Sequence, residues 1–379
     1  MRIGIDARLY GLEHAGLGRY VTRLIGDVLS SDKKNHYVLF LKKNHLTQFK
    51  DYPNVTVREV NIPIYGFLEQ LVLPFIFARE NLDLLHVPHF NAPFLYPGKL
   101  IITIHDLIKH HSKGKGTTTH HPLFYSIKRA GYLFLVSTVV RKARSIIVPS
   151  EYVKKDLIKN FRLPENKITV TYEAVDSNIK QVKLSEAEKK QVLSKFGLVQ
   201  PFVIYTGSVY PHKNVDLLID AVIKHNQTKE VDLMLAIVCA RNVFYERISR
   251  RIIEKGAGSY INLLGFRSDE EVSQLYSLAL CLVHPSKMEG FGLTGLEAMK
   301  TGLPVISSSA SCLPEVYGDA ALFFDPESVD DLVNKLELMI GDRNLREKLI
   351  NKGLLQVKKY SWKKMAKETL AVYKKHTSK

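Results

Sequence analysis

Residues 285–304 read PSKMEGFGLTGLEAMKTGLP, and the fold turns on how this stretch is understood. A strand-like apolar run, LALCLVHPS, stops at Pro285, and a glycine-containing loop with Glu289 follows it. Leu293 to Lys300 then reads as a short helix, with Gly302 as its C-terminal stop and Pro304 beyond. Glu289 therefore lies in the loop just before the helix and Glu297 about one turn inside it. Gly290 and Gly292 let a ligand approach the backbone. Unpaired N–H groups at a helix N-terminus attract phosphate, and carboxylates on either side hold sugar hydroxyls, so one surface would read both parts of a nucleotide sugar. The spacing also admits a plainer account: a surface loop capping an ordinary helix, with both glutamates merely favourable near the positive end of the dipole.

The wider pattern separates the two accounts. EGFGLTGLE, followed by AMKTGLPVISS and LPEVYGDAALFFDP and preceded by GSVYPHKNVDLLIDA, resembles the retaining glycosyltransferases of family four over nearly the whole chain, most strongly from Tyr205 to Pro326. The resemblance implies an α/β protein of the GT-B fold: two Rossmann-like domains with parallel sheets facing across a cleft. It implies that Glu289 contacts hydroxyls of the transferred sugar and that backbone amides of Gly290, Phe291, Gly292, Leu293 and Thr294 contact sugar and phosphate. Glu297 would hold the ribose hydroxyls, and Phe266 and Arg267, after Gly265, would bracket the base. His105, at the end of a strand in TIHDL, would lie beside the donor sugar and pyrophosphate, making His105, Lys213 and Glu289 the catalytic set. Gly16 and Gly18, in AGLGRY after the first strand, would approach the donor diphosphate. Without the resemblance, Gly16-Leu17-Gly18 is a plain tight turn before a helix, and a lone histidine is more often a satisfied structural residue.

GSVYPHKNV follows a strand and precedes a helix, so Gly207 and Ser208 present backbone donors while Lys213 supplies a cation to a pyrophosphate; an exposed lysine is the alternative. Two positions depart from the family pattern. Ser208 stands where many relatives have arginine, with His212 as a partial replacement for the charge. Thr294 stands where proline is frequent, and its hydroxyl is expected to cap the helix.

Two or three domains are expected from 379 residues. Three widely spaced cysteines, Cys239, Cys281 and Cys312, suggest neither a disulfide framework nor a zinc site, as in a reducing cytoplasm. The opening MRIGIDARLY lacks the apolar core of a signal peptide, and no run approaches a membrane span. The formal charge of +16 suits nucleic acid, an anionic membrane or phosphate-bearing substrates, or reflects nothing more than abundant lysine. No zinc-finger spacing or RNA-binding aromatic signature supports nucleic acid.

Alternating strands and helices run from residue 1 to about 178, including a strand completed over Val170–Val175, and restart at Phe202 after a helix over Ser185–Phe196 capped by Ser185 with Glu188 three residues later. The expected domains are 1–178 and 179–358, followed by a last amphipathic helix, about 359–379; the resemblance implies that the first binds the acceptor, the second the nucleotide sugar, and that the last helix crosses back to the first. Residues 62–78 are apolar but interrupted by Pro63, Gly66 and Pro74, so no regular span is expected there. That segment, with Glu69-Gln70, would border the acceptor. Five of fourteen histidines fall between His105 and His121, without the i, i+4 spacing of metal ligands on one helix face, and a basic loop is expected. Pro122 to Arg144 mixes aromatic and aliphatic residues with flanking cations, either a core helix or a segment lying on an anionic membrane.

The resulting expectation is a hexosyltransferase using a GDP- or UDP-linked donor, GDP-mannose or UDP-glucose. Its acceptor would be a saccharide or polyprenyl-linked oligosaccharide at the inner face of the cell membrane. No cofactor and no obligatory divalent cation are expected, since no acidic pair with metal-ligand spacing lies near the loops. Other GT-B activities, a sugar-phosphate synthase or a nucleotide-sugar epimerase, and a nonenzymatic nucleic-acid-binding protein are the alternatives.

Overall fold

The computed structural model describes residues 1–111 and 122–377. It divides into two compact units, Met1–Glu173 with Ser361–Lys379, and Ala174–Tyr360.

The first unit runs β1 (Arg2–Asp6), α1 (Ala15–Ser31), β2 (His36–Leu41), β3 (Val55–Glu59), α2 (Phe67–Ala78), β4 (Leu84–Val87), β5 (Leu100–Thr103), α3 (Ile108–His111), α4 (Pro122–Lys142), β6 (Ser145–Val148), α5 (Glu151–Phe161) and β7 (Ile168–Val170). The strands form a parallel sheet in the order β3-β2-β1-β4-β5-β6-β7. Every residue of β4, β5 and β6 is buried, because helices cover both faces of a parallel sheet and its strands must be apolar throughout. Residues 171–176 are not a strand: β7 ends at Val170, and the chain leaves the sheet irregularly toward the second unit.

Residues 62–78, where no regular membrane span was expected, contain a short helix. Phe67–Ala78 is a continuous helix with Pro74 inside it. Leu73 and Phe77 are fully buried against the sheet. Burying a large apolar side chain contributes roughly 1.5–3 kcal/mol, so the two together offset the ~3 kcal/mol that an interior proline costs.

The second unit runs α6 (Glu186–Phe196), β8 (Phe202–Thr206), α7 (Val215–Thr228), β9 (Met234–Val238), α8 (Val243–Glu254), β10 (Ile261–Gly265), α9 (Asp269–Leu278), β11 (Cys281–His284), α10 (Leu293–Lys300), β12 (Val305–Ser308), α11 (Leu313–Tyr317), β13 (Ala321–Phe324), α12 (Val329–Gly341) and α13 (Arg343–Val357). Its parallel sheet has the order β10-β9-β8-β11-β12-β13. The box expected at Ser185 is present: the Glu188 N–H donates to Ser185 Oγ, and the Ser185 N–H donates to Glu188 Oε2 at 2.7 Å.

The last helix, α14 (Trp362–Thr377), returns to the first unit and packs on α1. Its Tyr373 hydroxyl lies 2.7 Å from Nδ1 of His86 in β4, whose Nε2 is 2.9 Å from Thr103 Oγ1. Burial pushes His86 down to about 3, so it serves as a neutral polar pin inside the core. Among the described residues no helix is long and apolar enough to cross a membrane.

Both sheets reverse direction once, between β1 and β4 in the first and between β8 and β11 in the second. In open parallel sheets ligands bind beyond the carboxyl ends of the strands at such reversals. This directs attention to the loops after β8 and β11, and separately to those after β1 and β4.

Candidate functional site

At the reversal of the second sheet, the loop after β8 carries Lys213 and the loop after β11 carries Glu289. Lys213 Nζ donates to Glu289 Oε1 at 2.6 Å, and Ser286 Oγ donates to the same oxygen at 2.7 Å. His284, the last residue of β11, places Nε2 2.9 Å from it as well. Among the described residues no hydrogen bond reaches Oε2. Burial alone would raise the Glu289 carboxyl, but the Lys213 ammonium and then the hydrogen bond and charge of His284 outweigh it and hold the group well below its ordinary 4.5. Because the folded value lies below the unfolded one, this carboxylate contributes its full stability above about pH 4.5 and loses it as acid protonates it below that.

The backbone around Glu289 is equally constrained. Its N–H donates to Ser311 Oγ at 3.0 Å, and Ser311 holds φ at +54°, a conformation that costs a non-glycine residue about 1 kcal/mol or more. Cys312 Sγ donates to the Glu289 carbonyl. Gly292, with φ at +90°, is the N-cap of α10; a Cβ there would meet Leu313 Cδ2 at 2.6 Å. The buried Tyr317 hydroxyl donates to the Gly292 carbonyl, accepts the Gly295 N–H at 3.2 Å and lies 2.7 Å from His284 Nδ1. Tyrosine 317 thus occupies the capping role expected of Thr294, which sits inside the helix with no side-chain cap bond at this terminus. A hydroxyl from α11 reaches the turn where a local side chain was expected because Gly295 leaves room for the ring. Gly295→Ala is expected to cost about 1–3 kcal/mol, since its Cβ would overlap Tyr317; denaturant unfolding measures it, and an unchanged midpoint would contradict this packing.

Gly290 and Phe291 form the turn between Glu289 and α10, whose first residue is Leu293; both are buried, and Phe291 packs edge-on to Tyr360 at 5.3 Å. Glu297 lies half-buried one turn into α10. Gly207, with φ at +135°, donates its N–H to the Val238 carbonyl, and the Ser208 carbonyl accepts from the Tyr205 hydroxyl at 2.5 Å. His212 does not replace a missing arginine: burial first and then Lys213 push it down to about 4, so it is neutral at pH 7. After β10, Phe266 is 77% exposed, while the Arg267 guanidinium is held by the Leu264 carbonyl and lies over the Phe196 ring at 5.2 Å.

In the first unit, Gly16 and Gly18 are not in a loop but in the first turn of α1. The helix starts early because the 3-10 turn Leu12–His14 runs into it. A Cβ on Gly18 would collide with the Gly11 carbonyl, so close backbone packing explains that glycine; Gly16 has open space around it. His105, just after β5, places Nδ1 3.0 Å from Glu173 Oε1 and Nε2 3.3 Å from the Pro88 carbonyl, and its ring meets Tyr20 edge-on at 4.5 Å. Asp106 Oδ1 accepts the Ile108 N–H at 2.9 Å, which makes it a loop-positioning residue. Of the histidine-rich stretch, residues 112–121 lie outside the described residues.

A buried charge cluster at the reversal of the first sheet was not anticipated. Arg8 donates to both oxygens of Asp6, to Glu69 Oε1 at 2.7 Å and to the Ile62 carbonyl. Glu69 Oε2 accepts the Tyr65 N–H at 2.6 Å and the Asn91 side-chain amide. Burial raises the Glu69 carboxyl despite the opposing charge of Arg8. One carboxylate therefore joins three loops; the signal available beforehand was a glutamate inside an otherwise apolar segment.

Comparison with known proteins bears on the family and the fold. The family description "Glycosyl transferases group 1" matches residues 186–356, and "Glycosyltransferase Family 4" matches residues 16–178. O-antigen chain mannosyltransferase B of Escherichia coli is 33% identical over 234 residues, which is 61% of this chain and 61% of that protein. Sucrose-phosphate synthase from Thermosynechococcus elongatus superposes with a TM-score of 0.77 at 17% identity over 99% of this chain and 98% of its own. Anabaena HepE, solved in complex with UDP and glucose, gives 0.72 at 19% identity, over 98% and 99%. With both of its parallel-sheet units matched, this chain belongs to the group 1 glycosyltransferases, similar to family four, and has the GT-B fold.

Proposed function

We propose that the protein moves a hexose from a nucleotide diphosphate sugar to a saccharide or polyprenyl-linked acceptor in cell-surface polysaccharide synthesis. The observation that carries this reading is the Lys213–Glu289 pair at the reversal of the second sheet, beside the N-terminus of α10. Lys213 and the amides opening α10 offer positive charge to a diphosphate, and Glu289 Oε2 offers an acceptor for a sugar hydroxyl. Glu297 takes the ribose hydroxyls, and the exposed Phe266 ring stacks on the base with Arg267 beside it.

The reaction retains anomeric configuration by same-face displacement. The bond from C1 to the diphosphate oxygen breaks, the acceptor oxygen bonds to C1 from the same side, and the acceptor's proton passes to the departing diphosphate. The protein contributes positioning and stabilisation of negative charge, with Lys213 and the α10 N-terminus on the diphosphate; His105, braced by Glu173, is the candidate catalytic residue of the first unit. With cationic stabilisation supplied by the chain itself, turnover is expected to persist in excess EDTA; loss of activity restored by Mg²⁺ would contradict this.

A mannosyl donor is favoured by the name of the Escherichia coli relative, and a UDP-linked glucosyl donor by the HepE complex with UDP and glucose. We place the enzyme on the inner membrane face. In support, α2 exposes Leu68, Leu71, Val72 and Phe75, α4 exposes Phe134 while burying Val136, Val139 and Val140, and the net charge is +16.

Thermal shifts with a panel of nucleotide sugars and with GDP and UDP test the reading; indifference to all of them would sink it. Soluble sugar-phosphate acceptors supporting turnover would instead indicate a sugar-phosphate synthase. Glu297→Ala is expected to raise the donor KM about ten-fold with kcat little changed, because ribose contacts are alike in ground and transition states. A fall in kcat at constant KM would place Glu297 in the chemistry.

A further inference from the structure

The end of the first sheet opposite Asp6 and His105 holds a second basic concavity. Near the amino ends of β5 and β6, a depression of about 520 Å³ is lined by Arg141, Lys142, Arg144, Lys167, Lys375 and His376. No carboxylate is among its lining residues, and none of the six forms an ion pair among the described residues. This contrasts with Arg2, Arg8 and Lys213, each held by an acidic partner.

Backbone carbonyls draw these cations together. Lys142 Nζ donates to the Phe94 carbonyl at 2.5 Å, Lys167 Nζ to that of Arg141 at 2.6 Å, and Lys375 Nζ to that of Asn166 at 3.1 Å. Lys99 Nζ adds a further charge through the His376 carbonyl at 3.0 Å. The Arg144 guanidinium has no hydrogen-bond acceptor among the described residues, and His376 Nε2 is buried without a partner. Burial chiefly, with Arg144 after it, lowers Lys167, and burial chiefly, with Lys375, Arg144 and Lys99 after it, lowers His376. Lys142 and Lys375 lie in the last turns of α4 and α14, where cations complement the helix dipole. Arg144 and Lys167 are on neither helix, so that explanation does not reach them.

We propose that this concavity is a binding site for a phosphate group, presented either by an anionic phospholipid headgroup or by a soluble phosphate compound. Arginine's planar fork suits phosphate oxygens, the lysines add point charge, and binding relieves the mutual repulsion. The site gives the proposed membrane attachment a location and does not rest on the donor reading, which concerns the second unit.

The test is the double charge reversal Arg144→Glu with Lys167→Glu, compared with Lys183→Glu with Lys190→Glu, which changes net charge equally on the second unit. Sedimentation with phosphatidylglycerol-containing vesicles should fall about ten-fold or more for the first variant and little for the second. Phosphatidylcholine vesicles should bind neither. If the wild type ignores vesicles but inorganic phosphate binds by calorimetry, with binding lost only in the Arg144 and Lys167 variant, the ligand is the soluble one. Equal behaviour of the two variants in both arms overturns the site, and if all three proteins bind vesicles alike the membrane reading survives while this pocket does not. Thermal shifts by GDP and UDP, expected unchanged throughout, report folding and donor binding separately.

Discussion

Glu289→Ala is expected to lower kcat by about 10²-fold or more, a larger loss than any other single change in the second unit. Its carboxylate does two jobs at once. Oε1 gathers Lys213, Ser286 and His284, and under the proposed function Oε2 would accept from a sugar hydroxyl. If Lys213 and Glu289 have the proposed roles, removing the carboxylate would misplace the lysine and take away a sugar contact that matters most in the transition state; loss of one preorganised electrostatic group typically costs 10²–10³-fold. Stability should fall too, because a largely buried ammonium loses its partner, an effect of about 3–5 kcal/mol for buried pairs. Glu289→Gln separates the two, keeping shape while removing charge. Steady-state kinetics and denaturant unfolding on both variants check this. Equal and negligible effects of Glu289→Ala and Glu297→Ala would return both glutamates to the role of charges favourable at a helix terminus.

Glu69→Ala should destabilise the first unit by about 3–5 kcal/mol, the second large effect. Arg8 and Glu69 are each almost fully buried, and without the carboxylate Arg8 keeps Asp6 and the Ile62 carbonyl but loses one of its two anionic partners, while the Tyr65 N–H and the Asn91 amide lose their acceptor. Glu69→Gln, which keeps an acceptor, should cost less. Calorimetry of the full chain would show the loss, and a melting profile like that of the wild type would contradict the bracing role of this cluster.

Much of this was legible from local rules. The helix Leu293–Lys300 and its stop at Gly302 coincide with the expectation because caps and glycine conformations are properties of a few neighbouring residues. The same holds for Ser185 with Glu188. The alternation of apolar strands with helices sufficed for two parallel sheets. What escaped was long-range. His284 reads as one more polar residue ending an apolar strand until Tyr317, far along the chain, is seen on its other nitrogen. Arg8 and Glu69 meet only once β1 and α2 are packed, and α2 itself was hidden by Pro74, whose local cost is outweighed by burial that no local rule reveals. Gly16 and Gly18 were placed correctly after the first strand, yet the helix begins before them.

Hexose transfer is proposed at the Lys213–Glu289 pair. The most direct measurement is proton NMR of the reaction with the donor that gives the largest thermal shift and a saccharide acceptor, following nucleoside diphosphate release and the new anomeric signal together. One diphosphate is expected for each new linkage, with the donor's anomeric configuration retained and both signals lost in Glu289→Ala. Release without a new linkage, an inverted anomeric signal, or undiminished transfer by Glu289→Ala would contradict it.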